Sequence, residues 1–391
     1  MNSKEGITAR KIFLQTIKSI INCDEKPYSI KELDIAVQRK LYVMALRHDL
    51  AHLISKECID FGYITDTKIK ELFKKQQILS VYRYERMNFE YQEIKQTLIK
   101  EKIPFLPLKG LIIRELYQEP WMRTSCDIDV LVQKEDLKRA IDALKKENKY
   151  VQQGAVNYHD VSLYAPSQVH LELHFNIKEN IEYIDKLLEK VWEYSIKIDE
   201  NGYEYRQSNE FFIFHIIAHL LYHFKSGGCG VRPLIDLYLL HKNFELDQEK
   251  LKNMFDECGI YEFYEQIKKL SEVWFSDREH TELTEMMEEY IFSGGVYGSK
   301  ENDFAVKKNI VNRKKYILNR IFSPYDVIKN RYPILQKHKW LTPFYQVRRW
   351  TETIFSKKAG KLKEEIQIYD SVDADKKANV EKMFSGLGIK I

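Results

Sequence analysis

Cysteine is scarce and unpatterned in this chain. The five residues Cys23, Cys58, Cys126, Cys229 and Cys258 are odd in number and include no Cys-x-x-Cys pair. That excludes a disulfide framework and a zinc–thiolate site, and it reads as a reduced, cytoplasmic protein. Glycine (15) and proline (9) are also few for 391 residues, which argues against a loop-rich or all-β chain. No apolar run reaches membrane-spanning length, and the opening MNSKEGITARKIF lacks the apolar core of a signal peptide. Charge of one sign is missing too: 62 basic residues meet 58 acidic ones, leaving a net charge of only +4. Aromatic residues are abundant, with 25 Tyr and 20 Phe, and fit helices with aromatic cores. The length exceeds one small core and predicts two domains, or three lobes.

The stretch from Pro104 to Val132, PFLPLKGLIIRELYQEPWMRTSCDIDVLV, organises the rest. It reads as a short apolar strand, a Lys-Gly turn, an amphipathic helix to Gln118, a polar loop, and a strand over 127–132. Strand side chains alternate, so Asp127 and Asp129 share one face while Ile128, Val130 and Val132 enter a core. Adjacent carboxylates repel unless a cation sits between them, and a divalent ion preferring oxygen, Mg²⁺ first, suits that role. The plain alternative is two solvated aspartates at a strand entry. Val169 to Phe175 alternates in the same way, placing His170, Glu172 and His174 on one face. Beside the Asp127 strand it brings three carboxylates to one patch, able to hold two Mg²⁺ ions for an in-line phosphoryl or nucleotidyl transfer. Alone it is an edge strand whose wet face carries two histidines and a glutamate. Lys109, Gly110 and Arg123 supply a phosphate side.

Leu-Lys-Gly, a short helix, a Tyr, an Arg, then Asp-Ile-Asp-Val-Leu-Val and a later Glu-Leu-His resemble, in that order, the uncharacterised nucleotidyltransferase family. That family belongs to the polymerase β-like nucleotidyltransferase superfamily, and the resemblance covers about residues 100–240. In the wider superfamily a Gly-Ser turn opens a helix and binds the triphosphate. A D-x-D pair binds metal, and a third acidic residue on a later strand completes the site. The resemblance therefore implies that Gly110 is the turn glycine, Asp127 and Asp129 the metal pair, and Glu172 the third carboxylate. It implies an enzyme moving a nucleoside monophosphate from a nucleoside triphosphate, ATP by default, to an unknown acceptor: a small molecule, a protein or an RNA. Lys109, Gly110, Arg123 and His174 would contact the nucleotide. The sequence departs from the pattern at Leu111, where the superfamily has serine, so one hydroxyl contact to phosphate is lacking. Lys109 and the N-terminal end of the following helix would compensate.

Elsewhere the chain reads as helices. Apolar residues from Ala9 to Ile21 form a helical stripe, Ser29-Ile-Lys-Glu32 is a capping box opening a second helix, and a third runs from about Asp66 to Glu101. His48 and His52, four apart, are a ligand pair or an ordinary helix face. Residues 104–175 predict a mixed sheet with helices on one face. Its later elements are a helix from about Lys134 to Asn148, a strand near Tyr150, and strands Asp160 to Tyr164 and Val169 to Phe175. Ser208 caps a helix with a heavy apolar face from Phe211 to Phe224. On it His215, His219 and His223 form one stripe, open to three readings: metal binding, lining a cleft, or structure. The glycine cluster between Lys225 and Asp236 lacks the Gly-Lys-Ser/Thr ending of a P-loop and reads as a tight turn. Arg232 and Asp236, one helical turn apart, are expected to pair with each other. From Lys307 to Lys363 sixteen basic residues face only Asp326 and Glu352, with Trp340, Phe344, Tyr345, Trp350 and Phe355 interleaved. This is a cradle for a polyanion (nucleic acid, anionic lipid or the triphosphate) or a solvated helix pair balancing the acidic stretch Glu279 to Tyr290.

The expected protein is α+β: an N-terminal helical region (1–100), a mixed-sheet nucleotidyltransferase core (101–207) and a C-terminal helical region (208–391). Two other functions stay open. One is a degenerate nucleotidyltransferase acting as a nucleotide-binding regulatory or scaffold protein, favoured by Leu111 and opposed by the intact acidic trio. The other is a nucleic-acid-binding protein acting through the basic C-terminal region.

Overall fold

Helical spacing of apolar residues builds the amino-terminal part. The computed structural model describes residues 3–23, 33–154, 156–200, 202–310, 313–355 and 359–389. Helix α1 (Lys4–Asn22) is capped by Ser3, whose hydroxyl accepts from the Gly6 N–H, and buries Ile12, Phe13, Ile17 and Ile20. Asp34 caps α2 (Ile35–Arg47), and the expected capping box over 29–32 lies outside the described residues. Helix α3 (Ala51–Asp60) is an element the sequence pattern did not single out. Helix α4 (Thr67–Lys100) runs 34 residues, close to its expected span.

The sheet follows. Strands β1 (Phe105–Pro107) and β2 (Asp127–Val132) are joined by a single helical turn, α5 (Gly110–Ile113), and two 3-10 turns. The longer helix expected to Gln118 does not form. Tyr117 is extended so that its hydroxyl reaches a buried carboxylate, and Pro120 starts the second 3-10 turn. Next come α6 (Leu137–Glu147), β3 (Val151–Gln152), β4 (Asp160–Tyr164) and β5 (His170–His174). The five strands lie in the order β1-β2-β5-β4-β3, with β2 and β5 parallel and the other neighbours antiparallel.

Both sheet faces are covered, which differs from the expected one-sided packing. Ile128, Val130, Val132, Leu171 and Leu173 pack with Ile94 and Leu98 of α4 and Leu144 of α6. On the opposite face Leu106, Leu108 and Leu131 join a larger core shared by α1–α3 and the later helices. Those later helices begin after α7 (Glu182–Leu188) and a hairpin of β6 (Ser195–Lys197) and β7 (Tyr205–Gln207), whose strands are too short to show a period. Helix α8 (Asn209–Lys225) is buried on nearly every side and runs through the larger core. Around it lie α9 (Arg232–Asn243), α10 (Gln248–Glu257), α11 (Tyr261–Phe275) and α12 (Glu282–Ser293).

The carboxyl-terminal part comprises α13 (Lys300–Ile310), α14 (Arg313–Ile321), α15 (Tyr325–Arg331), α16 (Ile334–Lys337), α17 (Thr342–Phe355), α18 (Ala359–Ser371) and α19 (Ala374–Gly386). Several of its basic residues pair locally. Arg313 pairs with Asp370 at 2.7 Å, Arg320 with Glu365, and Arg331 and Arg348 both reach Glu352. The acidic stretch from Glu279 to Tyr290 instead engages Arg10 of α1 through Glu288 and Glu289. The expected balance between these two stretches is therefore corrected.

Two glycine-rich turns, around Gly227 and Gly298, dock on each other. Gly227 and Gly298 hold φ of 115° and 71°, and the Ser299 N–H donates to the Gly227 carbonyl at 3.0 Å. A Cβ on Gly298 would lie 2.2 Å from that carbonyl oxygen, so both the backbone conformation and the contact require glycine. Gly298→Ala is expected to reduce the unfolding free energy by about 1–3 kcal/mol in denaturant melts. Gly62→Ala, at φ +76° with nothing within 4 Å of its Cβ, should cost less and isolates the docking contribution.

Candidate active site

Parallel pairing sets the floor of the site. Register places Asp127 beside His170 and Asp129 beside Glu172, and the period of two keeps these side chains and His174 on one face. Their donor atoms form two overlapping groups, Asp127–His170–Glu172 and Asp129–Glu172–His174, each with all atoms within 4.8 Å. The His174 Nε2–H donates to Asp129 Oδ1 at 2.9 Å, and Glu172 Oε2 lies 3.6 Å from the same nitrogen.

This geometry divides the charge unequally. Burial opposes a charged His174, but its bonds to Asp129 and Glu172 prevail and raise its pKa to about 9. Burial likewise opposes the Asp129 carboxylate, yet the His174 hydrogen bond brings it down to about 2. The bond from His174 also lowers Glu172. Asp127 moves the other way: burial, then the charges of Asp129 and Glu172, push it up to about 7. An imidazolium thus serves two carboxylates and leaves the third in excess. His174, expected at the nucleotide, is buried between the acids. His170, expected on the same face, stands within the first donor group and stacks on Tyr164 at 4.6 Å.

The turn before α5 forms the next wall. Lys109 holds φ 34° and ψ −95°, a conformation L residues rarely adopt, and the Leu108 N–H donates to the Asp129 carbonyl at 3.0 Å. A Cβ on Gly110 would stand 2.8 Å from Arg123 Nη1, so the close approach of that guanidinium requires glycine. With only one turn behind it, α5 adds little dipole, and the expected help from a helix N-terminus is corrected. The positive charge here is that of Lys109. Leu111 points into the smaller core, and the hydroxyl-bearing residue beside Gly110 is Ser125, with its Cβ 3.6 Å from a Gly110 Cβ.

Arg123 and Arg232 each find partners that sequence proximity did not suggest. Arg123 Nε and Nη2 donate to Asp236 at 3.1 and 2.9 Å, and the Tyr117 hydroxyl donates to the same carboxylate at 2.8 Å. Arg232 pairs with Asp49 and also donates to Thr124 Oγ1 at 3.1 Å. The expected Arg232–Asp236 pair does not exist: one helical turn apart, each side chain reaches across to a different element. Arg123 keeps Nη1 toward Gly110 and the cleft.

The facing wall comes from α8. His219 Nδ1 lies 2.8 Å from Glu179 Oε1 and 3.0 Å from Lys109 Nζ, and His223 Nε2 lies 3.1 Å from His219 Nε2. Burial, then the Lys109 charge, lowers the His219 pKa, and burial brings His223 to about 4, so both rings are neutral at pH 7. His219 and His223 line the cleft, and His215 packs inside against Gln207. His48 and His52 do not form a ligand pair. His48 is wedged between Phe13 and Phe292, and His52 Nε2–H donates to the Met122 carbonyl at 2.8 Å. Glu179, Asp49 and Ser125 had no periodic or motif signal in the sequence, and Asp236 was marked only by its spacing from Arg232; each takes its role from a partner elsewhere in the chain.

The walls enclose a cleft of about 420 Å³, the size of a small-ligand site. A family model described as uncharacterised nucleotidyltransferase matches residues 36–276, from the start of α2 to the end of α11. The chain belongs to that family. No curated protein and no solved structure matches it. The match takes in the sheet, the turn at Gly110 and the α8 wall, and it stops before the basic stretch.

Glu179 yields a pH prediction. Burial opposes its charge, but the His219 bond and then the Lys109 charge lower its pKa from 4.5 to about 2. A depressed carboxylate contributes stability that is present above 4.5 and is lost as pH falls through about 2. The unfolding free energy of the wild type should therefore fall across that window by up to about 1.4 kcal/mol per pH unit more than that of Glu179→Gln. Parallel pH–stability curves for the two proteins would refute the assignment.

Proposed function

We propose that this nucleotidyltransferase moves a nucleoside monophosphate from a nucleoside triphosphate to an acceptor, with Mg²⁺ held by Asp127, Asp129 and Glu172. The observation carrying this reading is the clustering of three carboxylates on paired strands, with the half-buried Asp127 left outside the His174 bonds. Hard oxygen donors at this spacing fit Mg²⁺, with His170 at the margin as a poorer ligand for it. Two bound ions would supply Lewis-acid activation of the α-phosphorus and charge neutralisation of both oxygens in an in-line displacement.

The chain's own residues do the rest. Lys109 and the Nη1 of Arg123 face the triphosphate, and Ser125 offers beside Gly110 the hydroxyl that Leu111 does not. His174 orients Asp129 and Glu172 rather than touching the nucleotide. The acceptor oxygen, passing any proton it carries to Glu172, attacks the α-phosphorus, the bond to the β-phosphate oxygen breaks, and pyrophosphate leaves with the electron pair. ATP is the default nucleotide; the acceptor is a small molecule, a protein side chain or an RNA end. The degenerate reading loses part of its ground, since Leu111 is a core residue and a hydroxyl lies nearby.

A thermal-shift panel of the four nucleoside triphosphates with and without Mg²⁺ tests the reading, because a ligand bound to the native state raises the melting temperature. Asp127→Asn with Asp129→Asn should remove the Mg²⁺-dependent part of the shift and keep the fold; equal shifts in variant and wild type would sink the metal assignment. Glu172→Gln should abolish pyrophosphate release while leaving nucleotide binding largely intact, and His174→Asn should cost less. A Glu172→Gln protein with full turnover would place the third acid elsewhere.

A further inference from the structure

One surface beyond the family-matched residues remains unused by this chemistry. Helices α15–α17 form a satellite with its own small core of Ile328, Tyr332 and Leu335. Its outer side carries Trp340, Phe344 and Val347, spaced four and three along the continuous helical run of the 3-10 turn Lys339–Leu341 and α17. They are 70%, 66% and 53% exposed. A large apolar stripe left in water marks a docking surface. From Lys329 to Glu352 six basic residues face one acid. Glu352 takes Arg331 and Arg348, while Lys337 and Lys339 flank the stripe at its amino-terminal end.

We infer that this satellite docks on an anionic phospholipid surface. An exposed tryptophan and phenylalanine at helical spacing, bordered by lysines, fit the interface between headgroups and acyl chains. Each lysine near such a surface adds attraction to anionic lipid that salt screens. The aliphatic Val347 and the neighbouring exposed Ile334 and Val327 fit acyl chains and offer no face on which a nucleobase stacks. No helix among the described residues is long and apolar enough to cross a membrane, so the contact is peripheral.

The test is flotation of the full chain with vesicles of phosphatidylcholine alone and of phosphatidylcholine mixed with phosphatidylglycerol, at low and high salt. A single-stranded homopolymer RNA is run in parallel by filter binding. Flotation with the anionic vesicles only, weakened by salt, is the expected result. Trp340→Ser with Phe344→Ser should abolish it, and Lys337→Gln with Lys339→Gln should weaken it about fivefold per lysine. The lysine variant removes one ring contact, that of Lys339 over Tyr325 at 4.7 Å, and no core side chain, so it carries the test if the aromatic variant melts early. Absence of flotation with anionic vesicles overturns the proposal, as does flotation unchanged in the lysine variant. RNA binding lost with the same lysines while vesicles stay free assigns the surface to nucleic acid and overturns it equally.

Discussion

The hydrogen-bonded parallel register of β2 and β5 puts Asp129 across from Glu172 and Asp127 across from His170, and most of the site follows from that pairing. A one-residue slip would turn every one of these side chains to the opposite face. Three carboxylates on one pleated floor are costly to bury. The chain answers with His174 between two of them and Lys109 at the edge, and this cationic complement stops short of neutralising Asp127.

The rest of the molecule holds that floor against a second wall. Loop 123–125 carries Arg123, Thr124 and Ser125 to the cleft, and two ion pairs secure it: Arg123 on Asp236 of α9, and Arg232 of α9 on Asp49 with Thr124 bound alongside. The buried Arg123–Asp236 pair adds little net stability, yet removing one partner leaves a stranded charge and costs about 3–5 kcal/mol; the Arg232–Asp49 pair is partly exposed. Their effect is to fix one geometry. The docked glycine turns at Gly227 and Gly298 act similarly behind α8, whose His219 and His223 close the cleft. A site set on strands and a buried helix is held more rigidly than one carried by loops.

Family membership and geometry meet at the same residues. The matched span ends with α11, so the sheet, the Lys109–Gly110 turn and the α8 wall form one unit. In the basic stretch beyond it Arg313, Arg320, Arg331 and Arg348 are paired with Asp370, Glu365 and Glu352, which narrows the charge argument for a broad nucleic-acid cradle and sets the smaller aromatic–lysine face apart. Leu111, which departs from the expected serine, packs its side chain in the smaller core with residues of α4 and the sheet.

Much of this was legible in the sequence, because short-period patterns carry their own geometry. Alternation over 127–132 and 169–175 determined which residues share a face, and helical spacing marked α1, α4 and α8. The Lys-Gly, Asp-x-Asp and Glu-Leu-His order identified the family. Tertiary structure alone decided which strands pair and in which direction, and so whether Glu172 meets Asp129. It decided that α5 stops after one turn, that His174 sits between acids, and that Arg123 binds Asp236 while Arg232 binds Asp49. Glu179, Asp49 and Asp236 join the site through partners 40 to 183 residues away. Local sequence holds no trace of such contacts, since a lone carboxylate looks the same whether water or a buried cation surrounds it.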